Sequence, residues 1–245
     1  MKKVIASVGI GNASVDTVLP SETVVPGETV TADVQIAGGD VQQEVGSVRI
    51  EIETRYLTEE GYREVDLDRF VVAEDLVIEP DEETVRETTF QVPYHTPVTM
   101  GDAEAWVETE LDIDLAVDPD DTDYLDVRPT RRLQAVFDAM EELGFSLRTA
   151  DCEADPYGRY TEGASFFQEF EFRATGGQFR GAVDEVELVA SPGPDALDLF
   201  VEVDRRGGML SELAETDERL ARTSVASTET AAVREELATL IEQYS

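Results

Sequence analysis

The sequence predicts a mostly β protein: two β-sandwich domains in tandem, residues 1–129 and 130–245, the second modified by a leading helix and a C-terminal helix. Three observations carry this. Apolar and polar residues alternate over long stretches, most clearly where Val107, Thr109, Leu111, Ile113, Leu115 and Val117 share one face and Glu108, Glu110, Asp112 and Asp114 the other, the period-two pattern of a half-buried strand. Such segments follow one another at short intervals with turn residues between them and no convincing helix before residue 130, which favours a sandwich over a βαβ fold. The period then becomes helical at residues 130–143 and again at 229–244.

Taken in order, Val4, Ala6, Val8 and Ile10 alternate, and Gly11–Asn12 turn the chain into a short strand from Ala13 to Leu19. Pro26–Gly27 form a turn, after which Val30, Ala32, Val34 and Ile36 oppose Thr31, Asp33 and Gln35 up to Gly38–Gly39. Val48, Ile50, Ile52 and Thr54 line the next strand, and a turn at residues 59–61 makes a hairpin with YREVDLDRFVVAEDLVI. Val85, Thr89 and Gln91 then alternate with Arg86, Thr88 and Phe90. The long strand from Val107 and the segment from Tyr124 to Pro129 close the domain, with DPDDTD (Asp118–Asp123) expected to turn the chain between them.

Leu133, Val136, Phe137, Met140 and Leu143 form a helical stripe with Pro129 before it and Gly144 after it, the usual punctuation of a helix. Strands are expected at Phe145–Cys152, around Phe166–Ala174, around Val183–Ala190 and at Leu197–Val203, then helical turns at Met209–Glu215 and a short strand at Arg222–Ala226. AGGDVQQEVGSVRIEI (Ala37–Ile52) aligns without gaps with TGGQFRGAVDEVELVA (Thr175–Ala190), which suggests one supersecondary unit used in both halves. The last helix carries Val233, Leu237, Leu240, Ile241 and Tyr244 on one face; intramolecular packing is the simpler role, and a dimer contact or docking helix is the alternative.

The net charge is −36, the only lysines are Lys2 and Lys3, and the acidic excess runs along the whole chain. Spread over outer faces, such charge fits adaptation to high salt, because at molar ionic strength the screening length falls to about 3 Å and self-repulsion is suppressed. With no basic patch to neutralise phosphates, nucleic acid is excluded as a direct partner. The N-terminal apolar run is short and broken by Gly9 and Gly11, and no segment reaches the roughly 18 apolar residues of a membrane span. The lone Cys152 permits no intrachain disulfide; a cytoplasmic protein is expected.

The runs VGIGNASVDTVL, VPGETVTADVQIAGGDVQQEV and VPYHTPVTMG, with LDIDLAVDPDDTDYLDVRP, carry a resemblance. In order and spacing they resemble the sporulation-control family with an arrestin-like domain, nearly end to end, and the acidic composition looks like that of a haloarchaeal member. The resemblance implies arrestin-like sandwiches and a non-enzymatic regulatory or scaffolding role exercised through protein partners. It also allows an arrestin-type charged latch, for which Arg49, Arg55 and Arg128 with Asp112, Asp114 and Asp126 are the constellation, although no position carries over from the family and solvent-exposed strand faces are the simpler reading.

Catalytic chemistry is poorly represented. A nucleophilic triad needs a base beside the nucleophile, and the single histidine, His95, lies in a proline-flanked loop with no reason to meet Cys152. No P-loop, G-x-S-x-G or dinucleotide fingerprint is present. Asp118, Asp120, Asp121 and Asp123 are weak metal candidates, since the loop lacks the glycine and bidentate glutamate of an EF-hand. No cofactor is expected. The sequence therefore points to an adaptor or regulator acting by protein–protein interaction, with a homodimer or self-assembling structural protein as the alternative and a metal-dependent enzyme as a remote third.

Overall fold

The computed structural model describes residues 13–113, 118–161, 163–205 and 220–245. They are mostly β, with one helix leading into the C-terminal half and one ending the chain. The chain divides into two compact units, Met1–Thr54 with Glu64–Thr96 and Glu104–Val127, and Arg55–Arg63 with Pro97–Ala103 and Arg128–Ser245. The division is thus not a single cut at residue 129, because two early segments group with the C-terminal part.

The first unit is a two-layer sandwich. Its smaller sheet has the order β1 (Ser14–Val18), β3 (Thr29–Ala37), β6 (Glu83–Gln91). The larger layer runs from β5 (Gly61–Ile78) through β4 (Gln43–Thr58), β7 (Ala105–Ile113) and β8 (Asp120–Val127) to the short parallel strand β2 (Thr23–Val24). Alternation decides the faces: Val30, Ala32, Val34 and Ile36 of β3 are buried against Val48, Ile50 and Ile52 of β4 and Val107 and Leu111 of β7, while the intervening polar residues face outward. Gly27 carries φ +89°, and a Cβ there would sit 2.4 Å from the Tyr94 ring, so this turn requires glycine.

The second unit is an antiparallel meander, β9 (Phe145–Ala154), β10 (Phe166–Ala174), β11 (Val183–Pro192), β12 (Leu197–Arg205) and β13 (Leu220–Val225). The tip of β4 adds to it, Leu57 pairing in parallel with Glu153. One face is covered by α1 (Arg131–Glu142) and α2 (Thr230–Tyr244), whose stripes join Phe145, Phe170, Leu188, Leu199 and Val201 in one core. Thr130 caps α1 by accepting a hydrogen bond from the Leu133 N–H (3.3 Å), and Gly144 leaves it at φ +92°, the expected start and stop.

Two expectations change. Asp120 already belongs to β8, with Glu110–Asp120 through Ala105–Leu125 in register on β7 and β8, so most of the acidic run is strand rather than turn. The aligned Gly-Gly segments also differ in topology: β3 and β4 lie in different sheets, whereas β10 and β11 are hydrogen-bonded neighbours. The similarity of those segments is one of β patterning, not of a shared unit. The strand expected at Val4–Ile10, Asp114, Leu115 and Val117, and the helical turns at Met209–Glu215 lie outside the described residues.

Candidate functional site

The first unit ends at β5, an 18-residue strand hydrogen-bonded to β4. Among the described residues no strand pairs with its other edge. Its inward residues Leu67, Phe70, Val72, Ala73 and Leu76 are only partly buried against the core, although the inward residues of β4 are fully covered. Val71 and Val77 point outward at 57% and 52% exposure, and Val85 on the edge strand β6 is equally open. An apolar, unpaired edge of this length is what a sheet protein ordinarily hides, and here it is flanked by Glu64, Asp66, Asp68, Glu74 and Asp75.

On the outer face of the same layer Glu51, Glu53 and Asp66 bring carboxylate oxygens within 4.8 Å of one another. Strand alternation puts Glu51 and Glu53 on one face of β4, and β5 brings Asp66 alongside. Arg69 answers two of the three charges, with Nε 2.5 Å from Glu51 and Nη2 2.9 Å from Asp66. Glu53 is only 8% exposed as a residue, and its carboxylate oxygens are not among the buried side-chain atoms that lack a hydrogen-bond partner. Burial first, then the fields of Glu108, Asp66, Glu51 and Glu64, pushes its pKa up to about 7.

Residues 1–207 match the family described as "SpoOM protein". Over 255 residues the chain is 36% identical to the sporulation-control protein spo0M of Bacillus subtilis, covering 100% of this chain and 98% of that one. The crystal structure of Spo0M, sporulation control protein, from Bacillus subtilis superposes with a TM-score of 0.87 at 35% identity, covering 96% of this chain and 100% of that one. The chain belongs to the SpoOM family.

In this SpoOM-family protein the terminal helix is not a free docking face. Val233, Leu237 and Ile241 are fully buried, and Leu240 and Tyr244 pack against the same core, so the stripe is intramolecular packing. The acidic residues near β8 are separated by strand alternation: Asp118 accepts from the Ile113 N–H (2.9 Å), Asp121 from the Thr17 N–H (2.7 Å), and Asp120 faces water. Asp123 has a buried Oδ2 without a hydrogen-bond partner, and burial, with Asp121, Asp16 and Glu22 nearby, raises its pKa to about 6. These four residues do not converge on one point. The carboxylates that do converge are Glu51, Glu53 and Asp66, which sequence reasoning did not single out.

The latch candidates are dispersed between contexts. Arg49 pairs with Glu110 at 3.0 Å, which together with the field of Asp112 raises its pKa. Arg55 lies over the Tyr62 ring at 4.7 Å, Asp126 accepts from Thr23 Oγ1 at 3.2 Å, and Arg128 groups with the second unit. There Arg128, Arg131, Gln134, Asp138, Thr228 and Thr230 line an open cleft beside the starts of α1 and α2. His95 is exposed near Asp68 and the Leu67 backbone. Cys152 is buried, and its thiol is pushed up to about 12, chiefly by burial. Among the described residues no helix is long and apolar enough to cross a membrane.

Proposed function

We propose that the chain is a non-enzymatic cytoplasmic adaptor or regulator, in keeping with the arrestin-like resemblance, that takes up an extended segment of a partner protein along β5. The observation that carries this is the edge itself: an 18-residue strand whose far side pairs with no strand among the described residues, with half-covered apolar side chains. Strand addition would complete both the hydrogen-bond ladder and the burial. The acidic flank selects a segment in which basic side chains alternate with apolar ones, and opposite charge speeds encounter. The non-enzymatic part is supported by a cysteine held protonated by burial.

A photo-crosslinking residue at Val71 or Val77, introduced in cells at native salt, tests the reading. Adducts to a defined partner are expected there and not at the control position Tyr157, which is 93% exposed on the second unit. Crosslinks no more frequent than at Tyr157 would refute it. Adducts of the chain to itself, together with a dimer mass by light scattering that Val71→Lys abolishes, would instead establish self-assembly through the same edge.

A further inference from the structure

We infer that the chain's own first segment, Lys2 to Ile10, docks along the free edge of β5 and keeps it covered until a partner displaces it. The inference rests on the reading of β5 as an acceptor of an added strand. Residues 1–12 lie outside the described residues; their sequence, the position at which the described chain begins and the charge of the surface within reach identify them as the occupant. Ala13 is buried, and its N–H donates to Gln43 Oε1 at 2.6 Å. Gln43 opens β4, the hydrogen-bonded neighbour of β5. A two-residue turn, Glu59–Glu60, joins those strands, so the start of β4 lies beside the end of β5. Ser14 pairs with Ala37, and the next residue, Gly38, donates its N–H to the Glu82 carbonyl at 2.7 Å in the link from β5 to β6. The described chain therefore begins beside the C-terminal end of β5.

Length and charge fit the same placement. Twelve extended residues span about 40 Å, whereas the free edge of β5 is two strand spacings, roughly 10 Å, from Gln43. Asp75 has a left-handed backbone, φ +51°, which interrupts β5 as a template, so pairing runs from Glu74 back towards Asp68. After the crossing about six residues remain for that ladder, parallel to β5. Val4, Ala6, Val8 and Ile10 share one face of a strand, and Phe70 and Val72 of β5 are only partly buried and need cover. Lys2 and Lys3 are the only lysines in a chain of net charge −36. The parallel placement brings them level with Asp66 and Asp68, and opposite charges on neighbouring strands stabilise pairing. Tethering gives the segment an effective concentration in the millimolar range. A short, weakly matched strand is thereby held in place, and only a partner with a better basic and apolar pattern displaces it.

Disulfide trapping in the full chain tests this. Val71 on β5 and Val85 on β6 are each 57% exposed. Val85 stands opposite Gln35, which pairs with Asp16 on its other side, so a segment that only wanders on its tether meets Val85 at least as often as Val71. Ala6→Cys combined with Val71→Cys should close to an intrachain disulfide, at monomer mass, at least about tenfold faster than Ala6→Cys combined with Val85→Cys; the buried Cys152 takes no part. Lys2→Glu together with Lys3→Glu should slow closure at Val71 about fivefold and leave closure at Val85 unchanged. Equal rates at Val71 and Val85, closure indifferent to the double charge reversal, or a product found only at dimer mass would each overturn the inference. Partner adducts at Val71 and Val77 are a separate readout. Their absence in the Lys2→Glu, Lys3→Glu chain, where the edge is vacated, would refute strand addition by a partner while intrachain closure stands.

Discussion

Glu169 should make the second unit less stable as pH rises, and replacing it with glutamine should remove that effect. On the face of the meander away from the helices, Glu171, Glu187 and Glu202 stand directly opposite one another on β10, β11 and β12. Arg148 and Thr149 engage Glu171, and Arg148 and Arg173 lie 3.7 Å from Glu185; among the described residues no arginine pairs with Glu169. Burial, then Glu187, Glu153, Glu202 and Glu171, raises its pKa from 4.5 to about 8. A carboxyl group with a raised folded-state pKa holds a proton that the unfolded chain has already released. Its contribution is therefore fully present below about pH 4.5 and is lost as pH climbs to about 8. At about 1.4 kcal/mol per pH unit the interval amounts to about 5 kcal/mol, and to about 2 kcal/mol once the side chain's partial contact with water is allowed for. Glu169→Gln should accordingly raise the unfolding temperature by about 4–8 °C at about pH 8 and by almost nothing at about pH 5. Calorimetric scans at both pH values, in dilute and in molar KCl, measure this. Because burial is the leading cause, part of the gain should survive high salt, which screens only the neighbouring charges. A variant that is no more stable than the parent at about pH 8, or that gains equally at both pH values, would refute the argument.

Leu237→Ala, in the fully buried stripe of α2, should cost about 2–5 kcal/mol of stability in thermal or urea unfolding without changing the mass seen by light scattering, because that face is core. Gly144→Ala places a methyl group 2.4 Å from the Gly176 carbonyl carbon at φ +92°; it should destabilise by about 1–3 kcal/mol, read as a lower urea midpoint. Cys152 should resist thiol reagents in the native state and react only as the chain unfolds, since burial keeps the thiolate unpopulated; rapid native-state labelling would show that its surroundings are open. The unfolding temperature should rise between dilute and molar KCl, given a net charge of −36, and a flat dependence would remove the case for salt adaptation.

What the sequence made legible follows from where the controlling forces act. Strand faces such as Val30, Ala32, Val34 and Ile36 could be assigned because burial of every second residue is local and periodic. The start and end of α1 could be assigned because Pro129 before the stripe and Gly144 after it are local punctuation, whereas the Thr130 cap emerges only in the structure. The beginning of β8 could not, because Asp120 to Asp123 have turn-like composition and become strand only by pairing with β7. Nor could the difference between the Gly-Gly segments, since alternation marks which residues are inward but not which sheet accepts a strand. The carboxylate site failed for the same reason at longer range. Alternation assigns Glu53 to an outer face, where an acidic residue is ordinary, and only the lateral approach of β5 with Asp66 and of β7 with Trp106 turns that position into a buried one. In a chain with 55 acidic residues, composition cannot separate a carboxylate on an open face from one that neighbouring strands enclose. The separation is made by burial, which is a property of the neighbouring strands rather than of the residue's own surroundings in sequence.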